Sequence, residues 1–206
     1  MTSPTTQSGA PAADPRPLFL RAVDQAVRLI SVTDPGELDG PTPCPEYDVR
    51  TLIQHLLTVL RRITTVAQGR DALSVPGVTT GIPDAELGAA AVDDARRLAQ
   101  VWTEDAVLDR MLTLPFGTMP GRAAAMAYTQ ELTVHSWDLA TSIGRTDLLD
   151  DVLAEAMLGP ARQFVSAETR GGPVPFGPVV DVPDDAPPYA RLVGWLGRDP
   201  HWSRPA

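Results

Sequence analysis

The stretch DVRTLIQHLLTVLRRI, Asp48 to Ile63, places Leu52, Leu56, Val59 and Ile63 on one stripe at helical spacing, and Ile53, Leu57 and Leu60 widen it. So broad an apolar surface predicts a helix, near Val49 to Gln68, buried between several neighbours. Asp48 is its expected N-cap. One imidazole, His55, interrupts the leucines. A second stretch, AYTQELTVHSWDLA, Ala127 to Ala140, also reads as a helix and carries Glu131 and His135 four residues apart. Four residues is just over one turn, so the two side chains share a helix face.

Outward from these stretches the chain alternates helices with Pro- and Gly-rich links. Leu18 to Val32 follows a helical period, opened by Pro15 and Pro17 and stopped by Asp34, Pro35 and Gly36. Pro41, Pro43 and Pro45 keep the next connection extended or turned. After a link at 69–82, Asp84 to Glu104 is a third helix with Leu87, Ala91, Ala95, Leu98 and Trp102 on one side. Leu108, Met111, Leu112 and Leu114 run into Pro115, Phe116 and Gly117, which predicts a short hairpin. The fourth helix runs from about Arg122 to Ile143, with Gly144 at its end.

A fifth helical pattern covers Leu148 to Ala167, where Pro160 should kink or divide it. In GGPVPFGPVVDVPDDAPP, Gly171 to Pro188, valines 174, 179, 180 and 182 suit two short edge strands. Pro188 to Leu196 closes the chain as a helix. The expected architecture is mainly all-α: a four-helix bundle with a hairpin before its last helix and a small helical and extended C-terminal appendage. The expected division is a disordered tail over 1–14, a bundle over 15–146, and an appendage packed on it over 147–206.

Composition narrows the function classes. The 206 residues suffice for one packed domain with an appendage. A formal net charge of -9 argues against nucleic-acid binding and against anionic membranes, and it favours solubility. No stretch approaches a membrane span, and the N-terminus lacks a secretory pattern, so a cytoplasmic protein is expected. With Cys44 as the single cysteine, neither an intramolecular disulfide nor a Cys-rich zinc site can form.

If the His55 helix packs against the Glu131–His135 helix, one carboxylate and two imidazoles converge on a divalent metal and leave a coordination position open. The residue-level alternatives are a core histidine hydrogen-bonded to a neighbour for His55 and a surface polar residue for His135. Asp138, three residues after His135, is placed to orient a ligand histidine or a bound water from behind, or else is a surface acid. Trp137 suits a pocket wall or the core. Gln130 and Tyr128 offer weaker substrate contacts. Arg61 and Arg62 offer contacts to an anionic substrate, or else are solvated helix residues. Cys44 precedes a helix start but has no assigned basic partner, and His201 lies in the exit segment. The chain has no phosphate-cradling glycine loop, HExxH zincin motif or nucleophile elbow.

The segment TPCPEYDVRTLIQHL, Thr42 to Leu56, resembles the opening of actinobacterial metal-binding proteins related to mycothiol-dependent maleylpyruvate isomerase, within the DinB/YfiT-like superfamily. LPFGTMPG, Leu114 to Gly121, is similar to their link into the last bundle helix. ELTVHSWDLA, Glu131 to Ala140, looks like their second metal motif, and LVGWLGRDP, Leu192 to Pro200, like their ending. The likeness covers nearly everything after residue 15. The family pattern usually has tryptophan at the position of Tyr47. The C-terminal segment here is also shorter than a complete extra domain. The resemblance implies a DinB-like bundle holding a divalent metal, zinc, on His55, Glu131 and His135, with mycothiol as cosubstrate.

That resemblance points to a metal-dependent thiol transferase or isomerase acting on a small electrophile. A metal-dependent hydrolase fits the same ligands. A non-catalytic metal-binding or ligand-sensing bundle, or a bundle without metal, is the rival class. The apolar helix surfaces also suit a homodimer.

Overall fold

The computed structural model describes residues 13–168, 170–171 and 176–205. Helices α1 (Arg16–Val32), α2 (Val49–Ala67), α3 (Leu87–Trp102), α4 (Asp105–Asp109), α5 (Gly121–Ser142), α6 (Asp151–Phe164) and α7 (Pro188–Trp195) follow in order. Strands β1 (Met111–Leu114) and β2 (Gly117–Pro120) form the hairpin between α4 and α5. The protein is mainly helical, and its four long helices make a DinB-like bundle.

Helix α1 packs against α3 and α5, and α2 packs against the same two, so α1 and α2 face each other across the diagonal. This ring puts α2 beside α5 and brings the two sequence stretches together. Each helix supplies the stripe that its spacing implies. Phe19, Ala22, Ala26 and Leu29 of α1 meet Leu52, Ile53, Leu56 and Leu60 of α2, Leu98 and Trp102 of α3, and Leu132 and Leu139 of α5 in one core. The Phe19 and Trp102 rings lie 4.9 Å apart inside it. Asp48 caps α2, accepting from the Thr51 amide at 2.7 Å.

The hairpin pairs Leu112 with Met119 and Leu114 with Gly117, and it buries Leu112 and Leu114 under the bundle. Its exit into α5 needs glycine. A Cβ on Gly121 would sit 1.9 Å from the Val107 carbonyl oxygen. At the other end of α5, Gly144 takes a φ of +66° and stops the helix.

Helix α5 is buried on two sides. Its outer face, Val134 and Trp137, joins Ala154, Met157, Ala161, Tyr189, Leu192 and Val193 in a second core made with α6 and α7. Gln25 of α1 ties this layer to the bundle, donating to the Tyr189 hydroxyl at 2.9 Å and accepting from the Asp150 amide at 2.7 Å.

Three expectations need correction. Helix α3 begins after a 3-10 turn at Asp84–Glu86 and ends at Trp102, so Asp105–Asp109 is a separate short helix. Pro160 does not divide α6, which runs through it while burying Leu153, Ala154, Met157 and Ala161. Its missing N–H forfeits one helical bond, a cost the buried face offsets. Val179, Val180 and Val182 form no strand, and the Val180 amide instead donates to the Gly194 carbonyl of α7 at 2.9 Å. Val174 and most of the 1–14 tail lie outside the described residues.

Candidate metal centre

His55 projects from α2 toward α5, and Glu131 and His135 project back from one face of α5. The Oε1 oxygen of Glu131 lies 3.1 Å from His55 Nε2 and 3.6 Å from His135 Nε2. All three donors fall within 4.8 Å of one another. Metal–ligand bonds of about 2.0–2.1 Å in a tetrahedral shell set neighbouring donors roughly 3.3–3.4 Å apart. The two observed separations bracket that value and the third lies within 4.8 Å, so this donor set could hold a divalent ion.

Burial is uneven around the cluster. His55 and His135 side chains are 13% and 11% exposed, whereas that of Glu131 is 39% exposed. The open side therefore lies at the carboxylate. Tyr47 packs against both imidazoles, its ring 5.1 Å from that of His55 and 6.4 Å from that of His135. Tyr47 is set by a tight turn in which the Thr42 hydroxyl donates toward the Cys44 and Tyr47 carbonyls at 2.9 and 2.7 Å.

Behind His135 the ring is held by a buried carboxylate. Nδ1 of His135 lies 2.9 Å from Asp138 Oδ2. Asp138 is fully buried, and Arg198 reaches it from the far end of the chain, with Nε 3.2 Å from Oδ1 and Nη2 3.0 Å from Oδ2. Cys44 is close by. Its sulfur lies within 4.8 Å of donor atoms of His135 and Asp138.

The electrostatics follow from this geometry. The surrounding protein desolvates Glu131 and opposes its ionisation although the side chain keeps an exposed edge, but the adjoining imidazoles, His135 at 3.6 Å and His55 hydrogen-bonded at 3.1 Å, outweigh this and hold the carboxyl well below the usual range. Burial likewise opposes protonation of His135, yet the flanking carboxylates of Asp138 and Glu131 prevail and raise its pKa to about 9. Burial works against the Asp138 carboxylate too, and the His135 hydrogen bond and Arg198 charge override it, so its pKa is lowered. Burial pushes the Cys44 thiol up despite Arg198 nearby, so its place before a helix start does not yield a thiolate.

The remaining predicted residues fall elsewhere. Arg61 turns to α3, where its Nε donates to the buried Asp94 carboxylate at 2.6 Å, an acid that also accepts from Arg97. Arg62 stays on the His55 face, two turns along, and donates to the Val75 and Pro76 carbonyls at 3.2 Å. Tyr128, one turn before Glu131, is buried and packs its ring 6.3 Å from Phe116. Its hydroxyl has no hydrogen-bond partner among the described residues, and burial pushes its pKa up. Trp137 belongs to the second core, Gln130 is half-buried, and His201 is exposed in the turn after α7. Arg198 is the residue that sequence reasoning missed. Its signal is its place directly after the glycine that ends α7, inside the LVGWLGRDP ending that resembles the related proteins.

Residues 19–140 match the family described as the mycothiol maleylpyruvate isomerase N-terminal domain. The match spans α1 through most of α5 and includes His55, Glu131, His135 and Asp138. The chain belongs to this family. Two uncharacterized proteins from strains of Mycobacterium tuberculosis are each 30% identical to it over 185 residues, covering 90% of this chain and 98% of theirs. No solved structure matches it. Among the described residues, no helix is long and apolar enough to cross a membrane. The family's matched region ends before α6, so Arg198 reaches Asp138 from outside it.

Proposed function

We propose that this protein is a divalent-metal-dependent transferase or isomerase that joins a low-molecular-weight thiol, such as mycothiol, to a small electrophilic substrate. His55, Glu131 and His135 are the ligands and zinc is the metal. The observation that carries the reading is the meeting of two imidazole Nε2 atoms and one carboxylate oxygen, in a family named for a mycothiol-dependent isomerase, with one side open at Glu131.

When bound, the ion supplies Lewis acidity that makes a thiol more acidic at neutral pH. The chain's own residues prepare the site. Glu131 is ionised at neutral pH because the His55 hydrogen bond and the adjoining His135 imidazole hold its carboxyl well below the usual range. Asp138 retains a proton on His135 Nδ1, which leaves Nε2 as the donor toward the ion. Tyr47 closes one side against water. Arg62 lies on the His55 face and offers positive charge to an anionic group of thiol or substrate. In the transfer step the thiol proton goes to solvent, the sulfur lone pair forms the bond to the electrophilic carbon, and the pair of that carbon's broken π bond moves to the neighbouring atom, which takes a proton from solvent.

Turnover of a panel of electrophiles by zinc-loaded protein, with and without added thiol, tests the assignment. Product formation that needs both zinc and thiol is expected. Hydrolysis of the same panel at equal rates without thiol refutes the thiol reaction and assigns the site to a hydrolase.

A further inference from the structure

The turn leaving α7 is built to deliver one side chain. Gly197 takes a φ of +81°, its amide bonds the Gly194 carbonyl at 3.1 Å, and the Arg198 amide bonds the Val193 carbonyl at 2.9 Å. These paired bonds form a Schellman cap, which fixes the direction in which residue 198 leaves the helix. The backbone around it admits only glycine. A Cβ on Gly197 would meet the Gly177 carbonyl oxygen at 2.6 Å, and one on Gly194 would meet the Val180 oxygen at 2.7 Å. The cap is also tied down laterally: Trp195 Nε1 donates to the Ala161 and Val165 carbonyls at 3.1 Å, and Arg170 lies over the Trp195 ring while bonding the Gly177 carbonyl at 2.9 Å.

We infer that this C-terminal turn is part of the metal centre, with Arg198 as its positioning residue. The inference rests on the metal reading above. Arg198 bonds both oxygens of Asp138 with two different nitrogens, so it fixes the plane of the carboxylate as well as its place. Asp138 in turn fixes the His135 ring through Nδ1, and the ring presents Nε2 to Glu131 and His55. A purely structural role explains this poorly. Arg198 is 11% exposed and Asp138 0% exposed, and a buried charge pair is often no more stabilising than apolar side chains of the same volume. Nearby α5, α6 and α7 already supply an apolar core into which such side chains would fit. What the pair adds is a fixed orientation for His135, and it makes residues outside the matched family region necessary to the site.

The test measures zinc affinity by competition with a chromophoric chelator for the full chain and for Arg198→Gln, Arg198→Lys and Glu131→Gln. It adds the NMR signal of the His135 Nδ1 proton in the zinc-loaded forms. Arg198→Gln should bind zinc about 10- to 100-fold more weakly, the range for groups that orient a ligand histidine. Arg198→Lys keeps the charge and loses the two-point contact, so it should fall between Arg198→Gln and the parent. The slowly exchanging Nδ1 proton of the parent should broaden or vanish in both. If Arg198→Gln fails to fold, the Arg198→Lys result decides. Parental affinity and an unchanged Nδ1 signal in the folded Arg198 variants, with zinc lost from Glu131→Gln, overturns this inference and leaves the metal reading standing. A parent chain that takes up no zinc removes the metal reading and this inference with it.

Discussion

Metal uptake should release a proton, and the site's own hydrogen bonds set how much that costs. In the metal-free protein His135 has a pKa of about 9, because Asp138 and Glu131 outweigh the effect of burial. At pH 7 only about 1% of His135 is then neutral, which weakens binding roughly 100-fold, or about 3 kcal/mol. Apparent zinc affinity should therefore rise about ninefold from pH 7 to pH 8 and roughly fivefold from pH 8 to pH 9 on account of this one group. The same linkage sets a stability window for the metal-free fold. The folded pKa lies above the ordinary 6.5, so the stabilisation is fully present below about pH 6.5 and is lost as pH rises through about 9. Calorimetry in buffers of different ionisation enthalpy reads the proton count directly, and near one proton per zinc from His135 is expected at pH 7. Asp138→Asn removes the carboxylate bonded to Nδ1, so it should lower the His135 pKa and flatten the slope. A zinc affinity independent of pH between 7 and 9 in the parent, with no proton release, refutes the reasoning.

Other outcomes follow from separate parts of the molecule. Gly121→Ala forces a methyl group to 1.9 Å from the Val107 oxygen and should cost at least the roughly 1–3 kcal/mol typical of overpacking, read from chemical denaturation. Arg61→Gln leaves the buried Asp94 with Arg97 alone among the described cations, so it should lower the melting temperature without moving zinc affinity. Saturating zinc at about 100 times its Kd should stabilise the folded chain by about 2.7 kcal/mol, a rise of roughly 5–10 °C in Tm that Glu131→Gln abolishes.

The long helices were legible because their apolar residues recur at helical spacing, on one dominant side for α2, where Leu52, Leu56, Val59 and Ile63 show it most plainly, and on two sides for α5. The pairing of Glu131 with His135 was legible for the same reason, since the helical period alone puts them on one face. That α2 lies beside α5 was not, because adjacency around a bundle depends on how all four stripes close together. The short helix Asp105–Asp109 was hidden because one turn carries too little periodicity to separate it from its neighbours. Valines 179, 180 and 182 suggested strands by propensity, but the carbonyl of Gly194 offered the Val180 amide a partner that local sequence does not announce. The contacts of Arg61 and Arg198 depended on acids 33 and 60 residues away, Asp94 and Asp138, and spacing of that length carries no pattern.

The most direct measurement is the metal content, by elemental analysis, of protein purified without added metal, repeated on His55→Ala and Glu131→Ala. The account predicts one divalent ion per parent chain and a large loss in each variant while both remain folded. Metal content unchanged in folded His55→Ala and Glu131→Ala would contradict it.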